Sequence, residues 1–131
     1  MYNETIKLFQ KSDVVICSAA ISDFKPVDVV QNKIKKENGL DSIRLEPTLD
    51  ILKKLGEIKT SQYLVGFALE TDNIIENAKN KLKSKNLDAI VVNKIGDFNP
   101  ISSDYNQIDF INSSLNITSF EKKLKSEVSN D

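Results

Sequence analysis

Histidine is absent from this chain. Its absence removes serine–histidine and cysteine–histidine nucleophile schemes, together with any zinc site that relies on imidazole. A single cysteine, Cys17, leaves no internal disulfide to form and makes the cytoplasm the expected compartment. Its position inside an apolar run reads as a small buried hydrophobe rather than a reactive thiol. There are four glycines, Gly39, Gly56, Gly66 and Gly96, and none belongs to a Gly-rich phosphate-binding turn. No apolar run approaches the roughly 20 residues that span a bilayer, and Met1-Tyr2-Asn3-Glu4 does not open a secretory signal. Charge of one sign is lacking too: 18 basic against 19 acidic residues give a net charge of -1. General nucleic-acid binding, which draws on a basic field, is therefore disfavoured. Chemistry in this chain falls to lysine, carboxylate, amide and backbone groups.

What is present is the balance of a globular domain or part of one: 131 residues, 40% apolar and 28% charged. Helical spacing covers Tyr2 to Lys11, with Ile6 and Phe9 inward. Val14 to Ala20 is a continuous run of β-branched and small residues, as in a parallel strand covered on both faces. A polar stretch from Ser22 to Ser42 holds Pro26, Lys33, Lys35, Lys36 and Gly39 and is longer than a plain connection. Ile43 to Glu46 alternates like a short strand. Leu49, Ile51, Leu52 and Leu55 then give helical spacing that stops near Gly56. Tyr63 to Leu69 predicts a second buried strand. Asn73 with Glu76 suits a capping box for a helix carrying Ile74, Ile75, Ala78 and Leu82 inward. Ala89 to Val92 predicts a third buried strand ending at Asn93. After a turn-rich stretch through Pro100, Ile108 to Ile111 and Leu115 to Thr118 read as an antiparallel hairpin around Asn112-Ser113-Ser114. A last helix is expected from about Phe120. Strands alternating with helices imply right-handed crossovers and a Rossmann-like α/β fold: an open, mostly parallel sheet with helices on both faces, closed by the carboxy-terminal hairpin. No internal repeat or second domain is evident.

Ligands of open α/β sheets sit beyond the carboxyl ends of the strands, and three features are expected at such ends. Ala19-Ala20-Ile21-Ser22-Asp23-Phe24-Lys25-Pro26 offers small residues for close backbone approach and an aspartate, followed by lysines able to fold over phosphates. The alternative is a solvated basic loop. Val65-Gly66-Phe67-Ala68-Leu69-Glu70-Thr71 places an aromatic where it stacks on a base, or else fills the core. Lys81 and Lys85, one helical turn apart, suit a triphosphate, or are simply a solvated face. Asn93 orients a ligand or caps a turn.

The order of these segments carries more than any one of them. Ala-Ala-x-Ser-Asp-Phe-x-Pro, Lys-Ile-Lys-Lys, Asp-Ile-Leu, Val-Gly-Phe-Ala-x-Glu-Thr and Lys-x-x-x-Lys-Asn-x-Asp follow one another over nearly the whole chain. This succession resembles the phosphopantothenate–cysteine ligase family, in many bacteria the carboxy-terminal part of a bifunctional flavoprotein whose other domain is a decarboxylase. The resemblance implies coenzyme A biosynthesis: CTP-dependent joining of 4'-phosphopantothenate to L-cysteine through an acyl-cytidylate. It assigns Ala19, Asp23, Lys33, Leu49, Asp50, Ile51, Leu52, Phe67, Lys81 and Lys85 to nucleotide binding. It gives Lys33 a catalytic part at the opening of a flexible flap spanning about 24–42. Mg²⁺ accompanies CTP in this expectation, with no metal held by protein residues. FMN belongs to the associated decarboxylase domain alone.

Two departures stand out. Leu49 occupies the place where such ligases usually have proline before Asp-Ile-Leu. The amino-terminal half of the family's domain, with its Gly-rich loop and the asparagine that clamps the acyl intermediate, has no counterpart here. The whole chain, 1–131, therefore reads as a partial ligase domain on the CTP-binding side, inactive alone and a homodimer by family analogy. Neither a nucleic acid nor a membrane is an expected partner. Two other readings are a non-catalytic dimerisation module, using the hairpin's edge strands, and a generic Rossmann-like nucleotide-binding domain of another pathway.

Overall fold

In the computed structural model, residues 1–35, 41–70, 72–94 and 102–130 are described. Lys36, Gly39, Thr71, Gly96 and Pro100 lie outside them. The described chain forms two compact units, one of residues 1–18 and 51–131, the other of residues 19–50.

In the larger unit, α1 (Tyr2–Phe9) leads into β1 (Val14–Cys17). After α2 (Ile51–Ile58) come β4 (Tyr63–Glu70), α3 (Ile74–Ser84) and β5 (Ala89–Lys94). The smaller unit supplies the intervening β2 (Phe24–Pro26) and β3 (Leu45–Pro47). β6 (Tyr105–Asn106), β7 (Ile108–Asn112), β8 (Ile117–Ser119), β9 (Lys123–Leu124) and α4 (Lys125–Val128) complete the chain. The main sheet has the order β1-β4-β5-β7-β8. β1, β4 and β5 are parallel, and β7 and β8 add an antiparallel hairpin. The β–α–β alternation and the closing hairpin stand as the sequence predicts.

Strand alternation divides the sheet's side chains between two faces. Leu64, Ala68, Ile90, Val92 and Ile111 share one, where they form a core with Phe9, Ile51, Leu55, Ala78 and Leu82. Helices α1, α2 and α3 thus lie on that face. The other face, for which the sequence also implied helices, has Val65 and Ala89 buried on it but carries none of α1, α2 and α3. Val14, Ile16, Tyr63, Phe67 and Leu69 are exposed on it. β1 is accordingly half-covered, not covered on both faces, and it ends at Cys17 instead of Ala20.

Close packing on the covered face depends on two glycines. A Cβ on Gly66 would lie 2.8 Å from Cδ1 of Leu87 and 3.0 Å from Cδ2 of Leu52. A Cβ on Gly56, which lies within α2 instead of ending it, would lie 1.8 Å from the carbonyl oxygen of Lys85. Asn86, at φ 52°, donates from Nδ2 to the Gly56 carbonyl at 2.9 Å. At the amino ends of the strands, Asp88 accepts from Lys59 Nζ at 2.9 Å and from the Leu64 amide at 2.7 Å.

Two local expectations fail. Asn73 caps α3 from a left-handed conformation, φ 45°, without a side-chain cap bond, so the capping box with Glu76 does not form. Past Phe120 the chain forms β9 and the four-residue α4, where one continuous helix was expected.

Candidate functional site

The smaller unit holds five of the residues singled out from the sequence. Ala19 lies two positions beyond the end of β1 and is exposed. Asp23 precedes β2, which pairs antiparallel with β3 so that Phe24 meets Pro47 and Lys25 meets Glu46. The Thr48 amide donates to the Asp23 carbonyl at 2.8 Å, and Thr48 Oγ1 donates to the Ser22 carbonyl at 2.6 Å. These two bonds bring the backbone of Ser22-Asp23 beside the segment that enters Leu49-Asp50, so segments distant in sequence become neighbours. Leu49, in place of a proline, is 66% exposed. Lys33 is exposed on the segment following β2.

In the larger unit, Ile51 and Leu52 begin α2. Ile51 is core and Leu52 packs on Gly66. The register of β1 against β4 pairs Val14 with Tyr63 and Cys17 with Gly66, so Phe67 stands just past the level where β1 ends. It is 43% exposed on the face opposite α1, α2 and α3. The alternative that Phe67 fills the core is therefore excluded. Asn93, near the carboxyl end of β5, shares this face, because Leu69 pairs with it on one side and Ile108 on the other. Its Oδ1 is buried and accepts no hydrogen bond among the described residues. An exposed ring and an unmet acceptor thus occur together at the carboxyl end of the parallel strands. Asn93 is absent from the set of residues carried by the motifs. An amide at a strand end was the one signal for it in the sequence.

Lys81 and Lys85 are placed differently from expectation. α3 runs antiparallel to the strands it connects and ends at Lys85, its C-cap, against Gly56 and immediately before Leu87-Asp88. Both lysines, half-buried, are therefore toward the amino ends of β4 and β5 and not at their carboxyl ends. The physical reason is the length of α3: three turns, at about 1.5 Å per residue, carry the chain back across the sheet.

Cys17 is half-buried at the end of β1, and burial raises its thiol pKa. No group of three or more histidine, cysteine, aspartate or glutamate residues is positioned to hold a metal among the described residues. No helix of the described residues is long and apolar enough to cross a membrane.

The family of the DNA/pantothenate metabolism flavoprotein C-terminal domain matches residues 1–131. The chain is 46% identical over 95 residues to the coenzyme A biosynthesis bifunctional protein CoaBC of Bacillus subtilis, covering 72% of this chain and 23% of that one. It is 37% identical over 135 residues to the CoaBC protein of Borreliella burgdorferi, covering 100% of this chain and 33% of that one. A prokaryotic cysteine/cysteine sulfinic acid decarboxylase is 44% identical over 133 residues, with 37% of its length covered. The chain thus spans well under half of these relatives. Among solved structures, the C-terminal domain of CoaBC superposes with a TM-score of 0.76 at 35% identity, covering 98% of this chain and 55% of that one. The Cab2 mutant in complex with phosphopantothenate-cysteine has a TM-score of 0.67 at 19% identity over 89% of this chain, a likeness of fold. The match over every residue, together with the sheet order, places this chain in the DNA/pantothenate metabolism flavoprotein C-terminal domain family, to which the C-terminal domain of CoaBC is similar in sequence and fold.

Proposed function

We propose that this chain is the nucleotide-facing part of a CTP-dependent phosphopantothenate–cysteine ligase of coenzyme A biosynthesis. The observation that carries the reading is the pairing of exposed Phe67 with the buried, unmet Oδ1 of Asn93 at the carboxyl end of the parallel strands. A nucleobase answers both. Its face lies on the phenyl ring, and its exocyclic amine is a donor for the Asn93 oxygen, costly to leave unpaired, once that buried amide turns outward. Two names among the relatives support the pathway: CoaBC for the sequence relatives and phosphopantothenate-cysteine for the ligand of the Cab2 structure. The decarboxylase name belongs to a protein most of which lies outside the match.

In this reading the substrate is the magnesium complex of CTP, the metal arriving on the phosphates as Mg²⁺ commonly does. A carboxylate oxygen of 4'-phosphopantothenate attacks the α-phosphorus, the α–β bridge bond breaks, and pyrophosphate leaves. The amine of L-cysteine then attacks the acyl carbon, loses its proton, and CMP departs. Lys33 neutralises charge developing on the phosphates, a preorganised electrostatic contribution of the kind that dominates such transfers. By the resemblance, the segment about 24–42, of which residues 36–40 lie outside the described residues, is the flap that keeps water from the mixed anhydride. The resemblance also gives nucleotide contacts to the backbone at Ala19, the Asp23 carboxylate and Leu49-Asp50 of the smaller unit and to Ile51-Leu52 of the larger. Lys81 and Lys85, given to the triphosphate by the resemblance, stand toward the amino ends of β4 and β5, away from Phe67 and Asn93. The chain alone is inactive in this reading, and a homodimer is its proposed assembly.

Calorimetric titration with magnesium CTP, and separately magnesium ATP, tests this. CTP binding in preference to ATP, weakened at least tenfold by Phe67→Ala and by Lys33→Ala, is expected. CTP binding unaffected by Phe67→Ala and Asn93→Ala would refute the placement of the base, and ligase turnover by the chain alone would refute its inactivity.

A further inference from the structure

Every described residue of the smaller unit except Thr48 is exposed. The unit therefore has no apolar core among the described residues, and its shape depends on hydrogen bonds. Two ion pairs cross it, Lys25 Nζ to Glu46 Oε1 at 3.0 Å and Arg44 Nη2 to Asp28 Oδ2 at 2.9 Å. Both are solvated, and such pairs hold little. The ladder of β2 and β3 holds more. Bonded and unbonded pairs alternate along antiparallel strands. The Val27 amide donates to the Arg44 carbonyl at 3.0 Å, and the Thr48 amide to the Asp23 carbonyl at 2.8 Å. Asp23 thus stands opposite Thr48 as a bonded pair, one step beyond Phe24 and Pro47. Pro26 and Pro47 fall on the unbonded pairs, where no amide is called for.

Thr48 does more than lengthen the ladder by one pair. Its Oγ1 donates to the Ser22 carbonyl at 2.6 Å while its amide holds the Asp23 carbonyl. These carbonyls belong to the two peptide planes on either side of the Asp23 Cα. Planar peptides leave φ and ψ as the only soft backbone rotations. Holding both planes therefore fixes both angles, and with them the direction of the Asp23 Cα–Cβ bond. The Asp23 carboxylate itself makes no hydrogen bond or ion pair among the described residues. Its aim is set by the backbone, and one residue grips that backbone twice. A β-branched side chain suits the task, because its χ1 is already restricted before the bond forms.

The geometry points to Thr48 as the positioning residue of this site: through the carbonyls of Ser22 and Asp23 it orients the Asp23 carboxylate toward its ligand. That the ligand is the nucleotide rests on the ligase reading. Thr48 acts through Asp23, since its hydroxyl proton and its amide are both committed to the chain.

Thr48→Val keeps the shape and the amide and removes the hydroxyl, whereas Thr48→Ser keeps the hydroxyl. In the 131-residue chain, nuclear magnetic resonance reads the Asp23 backbone without any ligand. Thr48→Val is expected to speed exchange of the residue-48 amide about fivefold and to move the HN–Hα coupling of Asp23 toward its rotational average. Thr48→Ser is expected to keep both near the parent's values. Exchange at the Val27 amide, at the other end of the ladder, is expected to stay within about twofold in both variants. Calorimetry with magnesium CTP then asks what the orientation is worth. Binding about fivefold weaker in Thr48→Val is expected, with recovery in Thr48→Ser. In an Asp23→Ala chain, Thr48→Val is expected to add less than about a twofold effect.

An Asp23 coupling that Thr48→Val leaves unmoved would overturn the proposal, as would a serine variant that behaves like the valine one. So would Val27 exchange that rises in step with residue 48, or a Thr48→Val loss that persists in full beside Asp23→Ala. A coupling that moves and recovers, in a chain whose CTP binding is absent or indifferent to Asp23→Ala, would refute the nucleotide as the ligand and leave the positioning of Asp23 standing.

Discussion

Replacing Gly56 by alanine sets two tendencies against each other. In a solvated helix the change gains about 1 kcal/mol, because alanine loses less backbone entropy than glycine. In α2 the new methyl would lie 1.8 Å from the Lys85 carbonyl oxygen, where ordinary contact begins at 3.4 Å. The obstacle is main chain at the C-cap of α3, so it cannot swing aside as a side-chain tip does. Either helix must retreat by more than about 1 Å, which overpacking studies price near the upper end of about 1–3 kcal/mol. The retreat also stretches the 2.9 Å bond from Asn86 Nδ2 to the Gly56 carbonyl, worth about 1 kcal/mol. The net expectation is a loss of about 2–3 kcal/mol out of the 5–15 typical of a domain. Urea titration followed by tyrosine fluorescence reads it, since Tyr2, Tyr63 and Tyr105 all belong to the larger unit. Gly66→Ala is the internal comparison: its obstacles are the side-chain ends of Leu87 and Leu52, so a smaller loss is expected. A Gly56→Ala midpoint at or above that of the parent, with unchanged slope, would refute the argument that the helix crossing demands glycine.

Asp88→Ala removes the acceptor of both Lys59 and the Leu64 amide and is expected to cost about 2–4 kcal/mol in the same titration; a loss under about 1 kcal/mol would show that water replaces the carboxylate. Asn86→Ala is expected to cost about 1–2 kcal/mol, and Asn86→Gly less, because glycine tolerates the positive φ while both lose the bond to Gly56; equal losses would show that the backbone conformation contributes nothing. The raised pKa of Cys17 makes its alkylation by iodoacetamide slow at neutral pH, with the rate climbing only above the ordinary thiol range. In the unfolded chain the thiol ionises first, so its contribution to stability is intact below the ordinary thiol pKa and is lost as pH rises from there through the raised value; a rate already level at pH 8 would contradict the burial argument.

Much of the sheet was legible because its strands are short apolar runs set between helices of clear period. The inward set of α3, Ile74, Ile75, Ala78 and Leu82, follows from spacing alone and is found so. A continuous apolar run nevertheless cannot reveal which of its faces is covered. Val14 to Cys17 reads as doubly buried, while Val14 and Ile16 are exposed. The paired two-residue strands β6 and β9 have no period to detect. The failed capping box has a local cause, since Asn73 takes a positive φ and Asn77 Nδ2 donates to the Asp72 carbonyl instead. At the candidate site, the motifs pointed to Phe67, which the structure leaves exposed, but gave Asn93 no special weight, because an acceptor left unmet by its neighbours is a property of packing. They also grouped Lys81 and Lys85 with the strand ends, since sequence shows a helix's residues without showing which edge of the sheet its last turn reaches.

The uncovered face of the sheet also bears on how the isolated chain behaves in solution. Val14, Ile16, Tyr63, Phe67 and Leu69 present apolar side chains to solvent, and exposed apolar surface is what drives non-specific association. Self-association of the purified chain is therefore expected to rise with its concentration and to fall when a charge replaces Ile16 or Leu69.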